Sequence, residues 1–171
     1  VHNDRVYFGT ENNKVFCIPV DDPNGDGTMD YSERIWDFTA PDKVWSSPAV
    51  TDDRVYVGCG DSNSVGANKL YCLYANNGTI DWVFPSRRDI KDVISTPVIM
   101  KGRVYFGAGD NNVYALYANN GTKIWNYTTR DMVISSPVVA YGRVFIGSDD
   151  NRLYCLDADT GVGIWDYATK G

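Results

Sequence analysis

Residues 142–167 read GRVFIGSDDNRLYCLDADTGVGIWDY, and their pattern decides the fold. The apolar residues come in short runs, Val144, Phe145 and Ile146, then Leu153 to Leu156, with a strand-like period of two and no sustained helical stripe. The opening Arg-Val-aromatic-apolar-Gly recurs at Arg5 to Gly9, Arg54 to Gly58, Arg103 to Gly107 and Arg143 to Gly147. Starts at 5, 54, 103 and 143 give periods of 49, 49 and 40, the spacing of propeller blades or solenoid repeats. Turn signals fall between the runs: Asp110-Asn111-Asn112, Asn77-Gly78, Asn120-Gly121 and Thr160-Gly161. Each copy therefore reads as a four-stranded antiparallel meander.

The last strand of each copy carries a tryptophan, Trp36, Trp82, Trp125 and Trp165. One large aromatic per repeat, always at the same place, is expected to fill the gap between neighbouring blades, so all four are assigned to the core. Ser46-Ser47-Pro48, Ser95-Thr96-Pro97 and Ser135-Ser136-Pro137 precede three of the copies, and Leu156-Asp157-Ala158-Asp159-Thr160-Gly161 closes the last before its tryptophan. On these residues nearly the whole chain resembles the pyrroloquinoline-quinone-type (PQQ-like) β-propeller repeat family. Trp-Asp pairs at 36–37 and 165–166 are a weaker match to WD-type blades, which also want Gly-His; the only histidine is His2. The expected fold is an all-β propeller of four-stranded antiparallel blades over residues 1–171, divided near 1–40, 41–86, 87–130 and 131–171. Aligned on the arginines, Val1 falls where Val50 and Met100 fall, so the first blade lacks most of its first strand. The eight-bladed members of the resembled family imply half a ring, completed by the remaining blades or by a second copy of the chain.

Composition narrows the partners. A net charge of −6 argues against nucleic acid and anionic membrane surfaces, and no apolar run is long enough to span a bilayer, so direct membrane insertion is not expected. Cys17, Cys72 and Cys155 occupy equivalent places in three blades, where the remaining copy has Ala115, and Cys59 stands alone. Equivalent positions in different blades lie beyond the roughly 7 Å Cα limit for a disulfide, so all four read as small buried hydrophobes.

The sharpest local motif is Asp22-Pro23-Asn24-Gly25-Asp26-Gly27-Thr28-Met29-Asp30-Tyr31-Ser32-Glu33, inserted where the other copies have a short turn. It matches the calcium loop of EF-hands register by register. Asp22, Asn24 and Asp26 offer side-chain oxygens, Gly27 the sharp turn, Thr28 its backbone carbonyl, Asp30 the ninth position and Glu33 a bidentate close. The stretch resembles the loops of EF-hand and dockerin-type proteins but has strand-like sequence on both sides. An acidic solvated hairpin that binds nothing shares its composition; the coincidence of every requirement in register favours a structural Ca²⁺ that neutralises and orders the loop.

Asn77, Asn120 and Asn126 each begin an Asn-x-Thr glycosylation acceptor. Asn-Gly at the first two is also what a tight hairpin wants, whereas Asn126 follows Trp125 in the outermost strand and should point to solvent. Meander topology puts the calcium loop, Asn77, Asn120 and Asp159 on one rim. The opposite rim takes Asp61, Asp110, Asn111, Asp149 and Asp150, together with Arg87, Arg88, Asp89, Lys91, Arg130 and Asp131 from the blade-to-blade links. The resemblance implies that quinone and substrate occupy that second rim in PQQ enzymes, held with calcium, a carboxylate and, in the alcohol dehydrogenases, a disulfide between adjacent cysteines. No two cysteines here are adjacent, the calcium motif lies on the other rim, and no nucleophile, base and orienting group assemble in the sequence. The expectation is accordingly a non-catalytic extracellular, cell-surface or periplasmic scaffold or binding module for a protein or glycan, with Ca²⁺ and without PQQ. The alternative is part of a PQQ-dependent dehydrogenase whose active site lies mostly outside this segment.

Overall fold

A computed structural model describes residues 1–60, 67–85 and 90–169. Each repeat forms one antiparallel sheet whose strands lie in chain order. Blade 1 has three strands, β1 (Arg5–Gly9), β2 (Lys14–Pro19) and β3 (Trp36–Thr39). Blade 2 has β4 (Ala49–Val50), β5 (Arg54–Cys59), β6 (Lys69–Tyr74) and β7 (Ile80–Phe84). Blade 3 has β8 (Val98–Met100), β9 (Arg103–Ala108), β10 (Asn112–Tyr117) and β11 (Lys123–Thr128), and blade 4 has β12 (Val138–Ala140), β13 (Arg143–Ser148), β14 (Arg152–Asp157) and β15 (Gly163–Ala168). The one helical turn among the described residues is the 3-10 turn Tyr31–Glu33 inside the insertion.

Register explains the small residue at the centre of the third strand of each repeat. Cys17, Cys72, Ala115 and Cys155 lie directly opposite Trp36, Trp82, Trp125 and Trp165. A short side chain there leaves room for the neighbouring indole, and all four cysteines are free and buried. The 2–3 turns of blades 1, 3 and 4 place Asn13, Asn111 and Asn151 at φ between 63° and 67°, a conformation that asparagine tolerates better than most residues.

The apolar core lies between the blades. Val15, Cys17, Tyr7 and Trp36 meet Val55, Val57, Tyr71 and Leu73 between blades 1 and 2, and equivalent residues fill the next two junctions. The same latch closes each. The indole Nε1 of Trp36 donates to the Ala75 carbonyl (2.9 Å), that of Trp82 to Ala118 (3.0 Å) and that of Trp125 to Ala158 (3.2 Å). Three residues after each alanine stands a glycine, and a Cβ added at Gly78, Gly121 or Gly161 would come within 2.5–2.6 Å of that indole. The carbonyl and the bare glycine together make a seat for the ring.

A second close approach explains the motif glycine that ends the second strand. A Cβ at Gly9, Gly58 or Gly107 would meet the Val44, Val93 or Val133 carbonyl of the following blade's link at 2.8, 2.1 or 2.5 Å. The link serine is fixed as well: Ser95 Oγ donates to the Gly107 carbonyl (2.8 Å) and accepts from the Gly107 N–H (2.9 Å), and Ser135 treats Gly147 in the same way.

One expectation fails. Trp36, Trp82 and Trp125 are 7–9 % exposed, but Trp165 is 43 % exposed. No blade follows β15 among the described residues, and the burial of the indole depends on a neighbour rather than on its own sheet.

Candidate functional site

In the insertion, the loop's oxygens are turned on its own backbone. Asp22 Oδ1 accepts from the N–H groups of Asn24 (3.2 Å) and Gly25 (3.0 Å), and Oδ2 from that of Gly27 (2.7 Å). Asn24 Oδ1 accepts from the Asp26 N–H (2.9 Å), and Asp26 Oδ1 accepts from the N–H (2.8 Å) and hydroxyl (2.7 Å) of Thr28. The Gly27 N–H above all holds the Asp22 carboxyl below its usual range, and the Thr28 hydroxyl does the same for Asp26. Gly27 has φ +85° and open space around it, so a glycine is needed there for backbone conformation.

At the end of the loop, Glu33 Oε2 accepts from the Asp30 N–H (2.7 Å), while Oε1 is shielded from water with no hydrogen-bond partner. Among the described residues, no group of three or more Asp, Glu, His or Cys side chains stands close enough to hold a metal ion. The donor chemistry nevertheless suits a hard cation: the side chains of Asp22, Asn24, Asp26, Asp30 and Glu33 and the Thr28 carbonyl are all oxygen donors, and one Glu33 oxygen is unsatisfied.

Asn77, Asn120 and Asn126 are all exposed. The first two use Oδ1 to accept from the N–H of Thr79 (3.0 Å) and Thr122 (2.9 Å). Asn126 donates to Asn112 Oδ1 (3.0 Å) and accepts from Lys123 Nζ (2.9 Å).

On the opposite rim the acidic residues bind the sheet. Asp110 and Asp150 each accept from a tyrosine hydroxyl four residues on, Tyr114 and Tyr154, both at 2.6 Å. Burial and the neighbouring carboxylate push Tyr154 up to about 12 and Tyr114 higher, so both phenols stay protonated at neutral pH. Burial likewise pushes the Cys59 and Cys72 thiols up to about 12, which leaves them unsuited to nucleophilic work. Asp61, Arg87, Arg88 and Asp89 lie outside the described residues.

The two outward faces differ. On blade 1 a groove of about 370 Å³ is lined by Phe8, Phe16, Ile18, Met29, Tyr31 and Arg34. Tyr31, from the insertion, lies edge-on against Phe16 at 5.9 Å, with the Arg34 guanidinium 3.8 Å from its ring centre. On blade 4, Leu153, Ile164, Trp165 and Tyr167 are 36–65 % exposed. The sequence reading did not find the seat that receives an indole; its signal was the spacing Ala-x-x-Gly at 75–78, 118–121 and 158–161.

The sequence profile of the family described as outer membrane protein assembly factor BamB matches residues 75–171. No curated protein sequence matches the chain. Among solved structures, BamB from Moraxella catarrhalis aligns with a TM-score of 0.73 at 22% identity, over 98% of this chain and 46% of that one. The quinohemoprotein alcohol dehydrogenase from Comamonas testosteroni aligns with a TM-score of 0.76 at 18% identity, over 98% of this chain and 34% of that one. The computationally designed Ika8 protein gives 0.76 at 14%, over 98% and 47%. The chain thus spans less than half the length of each, and at these identities the likeness is one of fold.

Proposed function

The chain belongs to the family described as outer membrane protein assembly factor BamB, and from that premise we propose that it forms part of a non-catalytic β-propeller platform. It works in an extracellular, cell-surface or periplasmic setting and presents a rigid surface to a protein or glycan. The observation that carries this reading is the triple latch: three tryptophans seated on three Ala-x-x-Gly hairpins make a stiff arc. The buried thiols and phenols in and beside that arc are held protonated, in support of a structural rather than a chemical role. No described helix is long and apolar enough to cross a membrane. Further blades complete the platform, and Asn77, Asn120 and Asn126 are exposed acceptors for glycans where the cell attaches them.

Calcium belongs to the same reading, held by Asp22, Asn24, Asp26, Thr28, Asp30 and Glu33. The ion would neutralise crowded carboxylates and fix the insertion against blade 1, and is given no part in catalysis. Thermal unfolding tests both parts of the proposal. Millimolar Ca²⁺ should raise the melting temperature by several degrees, Glu33→Gln should abolish that rise, and added pyrroloquinoline quinone should neither bind with its characteristic absorbance nor support dye reduction. Quinone-dependent turnover would establish the dehydrogenase reading instead, and a melting curve indifferent to Ca²⁺ would remove the metal.

A further inference from the structure

We propose that the cleft between blades 2 and 3, on the rim of the 1–2 and 3–4 turns, is a binding site for a neutral saccharide. The inference rests on the platform reading and deepens it by naming a place and a ligand class.

One residue sets this junction apart from its neighbours. Isoleucine precedes the tryptophan at Ile35, Ile124 and Ile164, and Asp81 stands at that place in blade 2. The exchange redirects an arginine. Between blades 1 and 2, Arg5 Nη1 reaches across to the Ala75 carbonyl (2.9 Å), and between blades 3 and 4, Arg103 Nη1 reaches the Ala158 carbonyl (3.2 Å) and Asp159. Arg54, at the same place in blade 2, turns back onto its own sheet, where Nε donates to Asp81 Oδ2 (2.8 Å) and Nη1 to Asp53. Among the described residues it makes no hydrogen bond to Ala118, whose carbonyl accepts from the Trp82 indole (3.0 Å) and the Tyr56 hydroxyl (3.2 Å). The junction without an arginine strap is also the roomiest, a cleft of about 460 Å³ against about 340 Å³ and 300 Å³ at the other two.

The walls select the ligand. Asp53, Arg54 and Asn119 line the cleft together with Ile99 and Tyr117. Two carboxylates already compensate Arg54, so an anion finds no spare positive charge there, and a cation meets the guanidinium. The arginine fork still has N–H donors beyond the two in use, and Asp53, whose side chain is 66 % exposed, has acceptor capacity left. A ligand that satisfies both must donate and accept at adjacent atoms without a charge of its own, as vicinal hydroxyls do. Tyr117 supplies the apolar contact. It is 47 % exposed and its hydroxyl makes no hydrogen bond among the described residues, whereas Tyr74, at the same place in blade 2, is tied to Asp81 (2.8 Å). An open ring with Ile99 in the same cleft suits the C–H face of a pyranose, and an aromatic surface with a few converging polar groups is the ordinary make-up of a small-molecule site.

The test titrates the full chain with maltose, cellobiose, lactose and chitobiose, with digalacturonate and diglucosamine as charged controls, and follows the NMR resonances of the Tyr117 ring and the Gly102 N–H. At least one neutral disaccharide should shift both saturably, with a dissociation constant in the millimolar range, and the charged dimers should bind at least about tenfold more weakly. Tyr117→Ala, at an exposed position, should weaken the sugar about tenfold, and Tyr141→Ala, in the cleft between blades 3 and 4, should leave it unchanged. Asp81→Ile, which restores the residue of the other repeats, should free Arg54 to strap across to Ala118 and abolish binding, while resonances of blade 4 report that the variant is folded. The proposal is overturned if no neutral disaccharide shifts Tyr117, if a charged dimer binds as well, or if Tyr117→Ala or a folded Asp81→Ile binds as the parent does. A negative titration removes the sugar and leaves the platform reading, whose own test turns on Ca²⁺ and quinone.

Discussion

Trp125 and Trp165 occupy the same place in successive blades, opposite Ala115 and Cys155 and beside Tyr105 and Phe145 at the same 5.9 Å. One is 7 % exposed and donates to the Ala158 carbonyl, and the other is 43 % exposed without an acceptor among the described residues. The comparison separates two layers of specification. The orientation of the indole is set inside its own sheet, by the small residue across from it and the aromatic beside it. Its burial and its hydrogen bond come from the next blade. A repeat therefore carries a complete donor face wherever it sits, and its stabilising value appears only when a seat is supplied.

The largest expected effect follows directly. Trp125→Ala should lower unfolding free energy by about 3–5 kcal/mol, as for a fully packed large aromatic, whereas Trp165→Ala should stay within about 1 kcal/mol. Equal losses in urea denaturation would erase the distinction between latched and open tryptophans. The seat can be tested from the other side. Gly161→Val combines a φ of +73° with a Cβ 2.5 Å from Trp125, and should cost about 1–2 kcal/mol for the backbone and about 1–3 kcal/mol more for the collision. Gly142, at φ +71° with nothing within 4 Å, should show the backbone cost alone. A Gly142→Val loss as large as that of Gly161→Val would mean that the hairpin conformation matters and the indole does not.

Smaller effects come from the charged braces of the first two blades. Arg54 Nε donates to Asp81 at 2.8 Å and Lys14 Nζ to Asp37 at 2.5 Å, and these hydrogen bonds hold both carboxyls below the usual carboxylate range. Each binds its proton more weakly in the folded chain than in the unfolded one. Their stabilisation is therefore fully present above the unfolded value near pH 4 and is lost as the pH falls from there through the lower folded value. Asp81→Asn should flatten the acid side of the stability curve by up to about 1 kcal/mol and change little at pH 7 beyond that loss. Unchanged acid sensitivity in this variant would remove Asp81 from the account.

The fold was readable because the same five-residue run returns four times with a strand period, and nothing local contradicts it. The three-stranded first sheet was visible in the alignment of the arginines, and the membership of Trp36, Trp82 and Trp125 in the core followed from their recurrence. The exposure of Trp165 could not be read in the same way, since its copy has the same letters as the others and the difference lies in what stands beside it. The insertion was legible only as a pattern. Asp22, Asn24 and Asp26 stand in calcium-loop register, but the sequence does not say whether their oxygens converge on one point or, as here, take up backbone N–H groups of Asn24, Gly25, Gly27, Asp26 and Thr28. Both outcomes use the same short side chains.

The most direct measurement is hydrogen exchange at the five tryptophan indole N–H groups of the 171-residue chain, resolved by NMR. Trp36, Trp82 and Trp125 should exchange only through opening of the blade junctions, while Trp165 and the half-exposed Trp45 exchange at close to solvent rates. Fast exchange at any of the first three, or protection of Trp165 equal to theirs, would contradict the claim that indoles seated on the next blade's hairpin hold this arc together.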